Sequence, residues 1–242
     1  MVQRALRPVG VVLVDKPAGP SSFALVAELR RRTGARTGHT GTLDPFATGL
    51  LVLLSGAATR LAPCFVGLDK RYVADVDLTR TTSTGDPEGE LVEEHPPPSG
   101  DELESRLALL RGEIELPIPA ASAVKIGGER AYRLARRGVV VEMPLRRSIV
   151  HSLDVLDRTA TSVSFEVHVS SGTYVRALAE ALGGHCTSLR RTAVGPFGVD
   201  EADAGRILPV DAVLERLPAD AQDRVPAATR AAVSAAVKDS AA

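Results

Sequence analysis

The chain has 242 residues, of which 44% are hydrophobic and 24% charged, and its net charge is −1. That is length for one large domain or two small ones and apolar content for a core. It excludes a uniformly basic nucleic-acid binder, and the longest apolar run, residues 49–54, is far too short to cross a membrane.

Residues 10–17, GVVLVDKP, read as a buried strand closed by a turn. In SSFALVAELRRRTG, Ser21 or Ser22 can cap a helix, Phe23, Val26 and Leu29 form its apolar stripe, and Gly34 ends it. A Gly/Thr-rich loop then leads to Asp44, and GLLVLLSG predicts a second buried strand. ATRLAPCFVGLDK predicts a short helical stretch interrupted by Pro63. RYVADVDLT alternates sides as a half-buried strand does. The acidic, Pro-rich residues 81–100 predict a loop or hairpin with a mobile tip.

DELESRLALLRG predicts a helix with Asp101 as N-cap and Gly112 as its stop. SAVKIGGERAYRLARRG predicts a strand, a Gly-Gly turn and a helix ending at Gly138. Two strands are expected at 147–156 and 162–170, then a helix from Thr173 and an extended LRRTAVGPF. After Pro209 comes one helix, VDAVLERL, and an Ala-rich tail expected to be weakly ordered. Strands and helices are interspersed without a regular βαβ repeat, which predicts an α+β fold around a mixed or largely antiparallel sheet.

Charge is segregated. Residues 125–147 hold seven Lys or Arg against two Glu, whereas residues 84–104 hold eight Asp or Glu and no base. Arg30–Arg32 and Arg190–Arg191 add two basic clusters. Such segregation can steer a polyanion to one face, or can be a set of solvated helix faces. Cys64 and Cys186 have no ligand-like spacing and read as free thiols in a reducing compartment. The first seventeen residues lack an apolar segment with a cleavage site, so a cytoplasmic protein is expected.

Taken alone, Asp44-Pro45 suits a turn or a helix N-terminus. No phosphate-binding Gly-Lys-Ser/Thr loop, Gly-x-Ser-x-Gly elbow or zinc-ligand pair is present. DVDLT, residues 75–79, matches the Asp-x-Asp-x-Thr loop of Mg²⁺-dependent phosphatases of the haloacid dehalogenase type. The alternation of the preceding KRYVA, however, puts both aspartates on the solvated side of a strand.

Six segments in order resemble the bacterial tRNA pseudouridine synthase B family, which isomerises uridine 55 in the tRNA T loop. They are DKPAGPSS, GHTGTLDPFATGLL, DKRY, SAVKIGGERAYRLARRG, SSGTYVRALAEALG and LRRTAVGPF, and together they cover about Gly10 to Pro209. The resemblance implies the pseudouridine synthase fold over residues 1–208, no cofactor, no metal and no obligatory protein partner. It implies a monomer whose partner is the T stem-loop of tRNA.

By that resemblance Asp44 is the catalytic aspartate. It attacks C1′, abstracts a proton at C2′, or attacks uracil C6, and these routes stay open. Each needs an ionised carboxylate, the ordinary state of an Asp of pKa about 3.9 at neutral pH. Arg176 is its ion partner, Tyr72 stacks on the target base and can take the C5 proton, and Tyr174 and Leu189 line the pocket. His39 inserts into the T loop once the base is extruded. Lys16 is assigned to the substrate side, facing phosphate or supporting the site. If Tyr174 and Arg176 lie on an extended segment, they face the same side.

Departures from the family pattern are Ala121 where an aromatic is usual, Ser83 in TSTGD where the first Asp is usual, and the shortness of residues 210–242, where a C-terminal RNA-binding domain is common. The alternatives are a non-catalytic T-loop binder or folding chaperone, and the Mg²⁺ phosphatase using Asp75.

Overall fold

The computed structural model describes residues 8–137, 139 and 141–241. In chain order its elements are β1 (Gly10–Lys16), α1 (Ser22–Thr33), β2 (Thr37–His39), β3 (Thr48–Ser55), α2 (Ala62–Val66), β4 (Lys70–Asp77), β5 (Arg80–Thr82), β6 (Leu91–Glu94), α3 (Gly100–Leu109), β7 (Gly112–Pro117), β8 (Lys125–Ile126), β9 (Glu129–Arg130), α4 (Ala131–Arg136), β10 (Leu145–Arg158), β11 (Ser162–Val169), α5 (Val175–Ala181), β12 (His185–Val194), β13 (Phe197–Gly198), α6 (Val210–Leu214), α7 (Ala219–Asp223) and α8 (Ala227–Ala241). This is the expected α+β class, with mixed and largely antiparallel strand pairing. The chain divides into two compact units, one made of the residues up to Arg71 and from Arg190 onward, the other of Tyr72–Leu189.

In the first unit β1 and β3 are antiparallel from Gly10↔Ser55 to Lys16↔Gly49. Both are continuous apolar runs because both faces are covered. Val11, Leu13, Leu50, Val52 and Leu54 face a core shared with Phe65, Phe197, Val210, Val213, Leu217 and Val233. Val12, Leu51 and Leu53 face the opposite way, onto Val26 and Leu29 of α1. β2 adds to β3 antiparallel, and β12 joins it in parallel through Arg190↔Thr48 and Arg191↔Gly49.

Gly49 is required there. Its φ is +102°, and an added Cβ would lie 2.2 Å from the carbonyl oxygen of Arg191.

Three expectations fail in this unit. Phe23 is not part of the α1 stripe but is 72% exposed. Pro63 does not interrupt a helix; it opens α2, after a 3₁₀ turn over Gly56–Leu61, where its missing N–H costs nothing. The residues after Pro209 form three helices, and α8 buries Val233 in the core. Their alanines favour helix outright, and a few valines suffice to dock it.

In the second unit the strand order is the first half of β12, then β4, β11, β10 and β7. β11 alternates strictly between half-buried and buried residues, with Val163, Phe165, Val167 and Val169 inside. Its partner β10 is antiparallel, as is β7 beyond it.

The acidic stretch forms the β5–β6 hairpin. Lys125–Arg130 is a hairpin whose Gly127 and Gly128 both have positive φ, the backbone a tight two-residue turn demands. The helix expected to end at Gly138 has Arg136 as its last residue; Gly138 lies outside the described residues. α5 begins at Val175, two residues later than expected.

Candidate active site

The loop between β2 and β3 carries Asp44, and two buried cations hold it from either side. Lys16, at the end of β1, has no exposed surface. Its ammonium donates to the carbonyls of Pro45 (3.0 Å), Ala47 (2.7 Å) and Pro17 (2.9 Å). Arg191, 2% exposed, donates from Nε to the Leu50 carbonyl at 2.7 Å and from Nη2 and Nη1 to those of Gly41 (3.1 Å) and Thr42 (3.4 Å).

Between these clamps the Ser22 hydroxyl accepts from the Leu43 N–H at 2.8 Å and donates to the Leu43 carbonyl at 2.9 Å. Two backbone bonds, Ala47 N–H to Asp44 O and Gly19 N–H to Pro45 O, complete the turn. Asp44-Pro45 is therefore a turn without a helix, and Asp44 is half-buried. A buried charge held on several carbonyls is costly to disturb, so the loop is set before any substrate arrives.

Lys16 and Arg191 were both sequence candidates for phosphate contact, Lys16 by resemblance and Arg191 by its place in a basic cluster. Neither is available for it. Lys16 fits only the supporting half of its expected role. Arg190 is half-buried and pairs with Asp15 at 2.7 Å.

His39 lies on β2 opposite Leu53 and is half-buried. Burial, and next the positive charge of Arg191, hold its imidazole below the usual value of 6.5, so the ring is neutral at pH 7. Among the described residues its Nδ1 is a buried atom with no hydrogen-bond partner.

In the second unit Arg176 sits on α5 and is buried. Its guanidinium donates to the carbonyls of Thr84 and of Ala121 (2.9 Å) and forms an ion pair with Asp86 at 3.3 Å. Asp86 is itself fixed, accepting from Thr84 Oγ1 at 2.5 Å and from the Glu88 N–H at 3.0 Å. In the sequence Asp86 is one acid of a run and the last residue of TSTGD, with no role assigned to it. Ala121, noted as a departure, supplies a carbonyl that any residue would.

Tyr72 is buried on the inward side of β4, and Leu189 is buried on β12. Tyr174 is the half-buried residue before the first turn of α5. It lines a crevice with Ile114, Pro117, Ser148 and Ala177. Because the helix starts at Val175, Tyr174 and Arg176 are not strand neighbours on one side, as an extended segment would have made them.

β4 alternates as expected, leaving Asp75 and Asp77 on its less buried side. The Asp77 carboxylate accepts from the Thr79 N–H (2.8 Å) and hydroxyl (2.6 Å) and pairs with Arg80 (3.3 Å). That is a strand-ending turn rather than a phosphate-attacking loop. Among the described residues no helix is long and apolar enough to cross a membrane.

Comparison with known proteins adds the following. Residues 30–175 match the family described as TruB family pseudouridylate synthase (N terminal domain). The chain is 45% identical over 219 residues to the tRNA pseudouridine synthase B of Mycobacterium sp. (strain KMS), covering 85% of this chain and 72% of that protein. It is 43% identical over 230 residues to that of Aromatoleum aromaticum, covering 86% and 75%. Among solved structures it is similar to a chain in the crystal structure of a Cbf5-Nop10-Gar1 complex, with a TM-score of 0.61 and 30% identity. That likeness covers 83% of this chain, which spans about half, 53%, of the solved one.

Proposed function

The chain belongs to the TruB family of pseudouridylate synthases, and from that membership we propose that it isomerises uridine to pseudouridine in tRNA, at position 55 of the T loop. The observation that carries the proposal is the loop of Asp44, a lone carboxylate presented on a turn whose backbone is held by Lys16, Ser22 and Arg191. A site that must break and remake one bond at a fixed carbon gains most from such preorganisation.

The chemistry balances without oxidant, reductant or group donor. The C1′–N1 bond breaks, the uracil turns, C5 bonds to C1′, and the C5 proton leaves while N1 acquires one. Asp44 acts at the sugar, either on C1′ or on the C2′ proton. Arg176 supplies the counter-charge, held on Asp86 and two carbonyls so that it cannot swing to solvent. Tyr72 stacks on the base and takes the C5 proton; Tyr174 and Leu189 form the apolar wall. His39, neutral and flat, fills the space left by the extruded base.

The substrate is the T stem-loop, bound by shape and backbone charge. The protein works as a cytoplasmic monomer, with residues 1–208 as its catalytic domain.

The test is tritium release from a tRNA transcript labelled at uridine C5, in EDTA, comparing wild type with Asp44→Asn. Release by the wild type alone supports the isomerase. Binding of tRNA without release by the wild type overturns it in favour of a T-loop binder.

A further inference from the structure

Phe23 is the anomaly of the first unit, a large aromatic side chain 72% exposed on a helix that has an apolar face to put it on. It is the second residue of α1, directly after Ser22, whose hydroxyl holds both backbone groups of Leu43, the residue before Asp44. The backbone that carries the ring is thus tethered, through Ser22, to the loop that presents the carboxylate.

Ala27 and Arg30 follow at the fourth and seventh positions on the same helical face, and all three are exposed. Arg30 lies about 10 Å along the axis from Phe23, seven residues at the helical rise. Arg31 flanks it, and among the described residues neither arginine enters an ion pair with a carboxylate. The opposite face, Val26 and Leu29, is spent on the core.

We propose that this stripe of α1 is a contact surface for unpaired RNA: a nucleobase flanking the extruded uridine stacks on Phe23, and the phosphates of the same strand follow Arg30 and Arg31. The inference rests on the reading of Asp44 as an RNA-modifying centre. Three features select this occupant. An exposed aromatic offers a stacking face to any base. The two small residues Ala24 and Ala27 leave that face open. Two guanidiniums two turns away, paired with no carboxylate among the described residues, match a phosphate chain, whereas a protein partner of ordinary composition would ask for a broader apolar patch.

The test uses the full chain and an unmodified tRNA transcript, measuring Kd at several salt concentrations together with kcat and KM for tritium release. Phe23→Ala is expected to raise Kd and KM about tenfold, within the range of one lost base stack, with kcat within about threefold. Phe23→Trp is expected to restore both. Arg30→Ala/Arg31→Ala is expected to flatten the salt dependence of binding by one to two phosphate contacts. Phe23 is exposed, so the variants fold, and circular dichroism of Phe23→Trp checks it.

Unchanged Kd and KM in Phe23→Ala, with an active wild type, overturn the surface and leave the isomerase standing. Phe23-dependent binding with no tritium release from wild type does the reverse. Concentration-dependent self-association lost in Phe23→Ala, with RNA binding intact, assigns the face to a second copy and overturns the proposal.

Discussion

The ammonium of Lys16 lies 3.0 Å from the carbonyl oxygen of Pro45, the residue that follows Asp44. With Ala47 and Pro17 it makes three charge-assisted bonds in a site closed to water. Lys16→Met keeps the stem and removes the donor, so the buried Ala47 carbonyl and the Pro17 carbonyl lose this partner and the Pro45 carbonyl keeps only the Gly19 N–H. The expected loss is roughly 2–4 kcal/mol of stability, read as a shift of the urea midpoint at constant slope. Tritium release should fall at least tenfold in kcat at a temperature where the variant is folded. A folded Lys16→Met enzyme with wild-type kcat would remove Lys16 from the positioning of Asp44.

Asp86→Asn tests the other clamp. The substitution is isosteric and keeps an acceptor for Thr84 and Glu88, but removes the carboxylate charge that lies 3.3 Å from the buried Arg176 guanidinium. The expected cost is about 3 kcal/mol of stability. Since Asp86 has no part in binding tRNA here, Kd for the transcript should stay within about twofold while kcat drops. A drop in affinity with kcat unchanged would show that Asp86 serves the RNA surface instead.

What the sequence reveals and what it hides divide along the range of the interactions. β1, β3, β10 and β11 are legible because apolar runs and alternation are local signals, and the Gly127–Gly128 hairpin because its turn chemistry is local too. The buried state of Lys16 and Arg191 is not, since their partners lie 29 to 31 and 141 to 150 residues away, and a charged side chain is read as exposed until its carbonyls are found. Asp86 is hidden for the same reason. Among eight acids, only the fold says which one meets Arg176. Phe23 misled because it sits three residues before Val26, at the edge of the stripe, and periodicity does not mark where the covered face ends. The Ala-rich tail misled because few large apolar residues predict weak order, although Ala221, Val225 and Val233 are buried there.

Lys70 makes the stability of the protein respond to alkaline pH. Burial, and then the charge of Arg191, bring its ammonium down from 10.5 to about 8, with Asp69 opposing and Arg224 adding to the fall. Below pH 8 folded and unfolded chains are both protonated at this site, and the folded state carries the cost of the buried charge. Between pH 8 and 10.5 the folded chain loses its proton first, so stability rises with pH over that window. The full swing is roughly 3 kcal/mol. The measurement is the difference between wild type and Lys70→Met in unfolding free energy from pH 7 to 10.5. The wild type should gain on the variant across that window, and a constant difference would show that Lys70 keeps an ordinary value.

His39 answers in the opposite range. Its ring is held below 6.5 by burial and by Arg191, so the folded chain binds fewer protons there than the unfolded one. The stability this neutral ring contributes is present above pH 6.5 and is lost as pH falls through the lowered folded value. The same protonation puts a charge on the flat group proposed to enter the RNA loop. Two consequences follow for His39→Phe, which keeps a flat ring and cannot be protonated. At pH 7.5 its kcat/KM should stay within about fivefold of wild type, since only the nitrogen atoms are lost and Nδ1 has no partner among the described residues. From pH 7 to 5.5 the wild type should lose both unfolding free energy and kcat/KM relative to the variant, because only the wild type gains the buried charge beside Arg191. Parallel pH profiles in the two proteins would mean that the acid limb belongs to another group and that protonation of His39 is silent. A kcat/KM in His39→Phe far below wild type at pH 7.5, with tRNA affinity intact, would mean instead that the imidazole nitrogens themselves take part in the reaction.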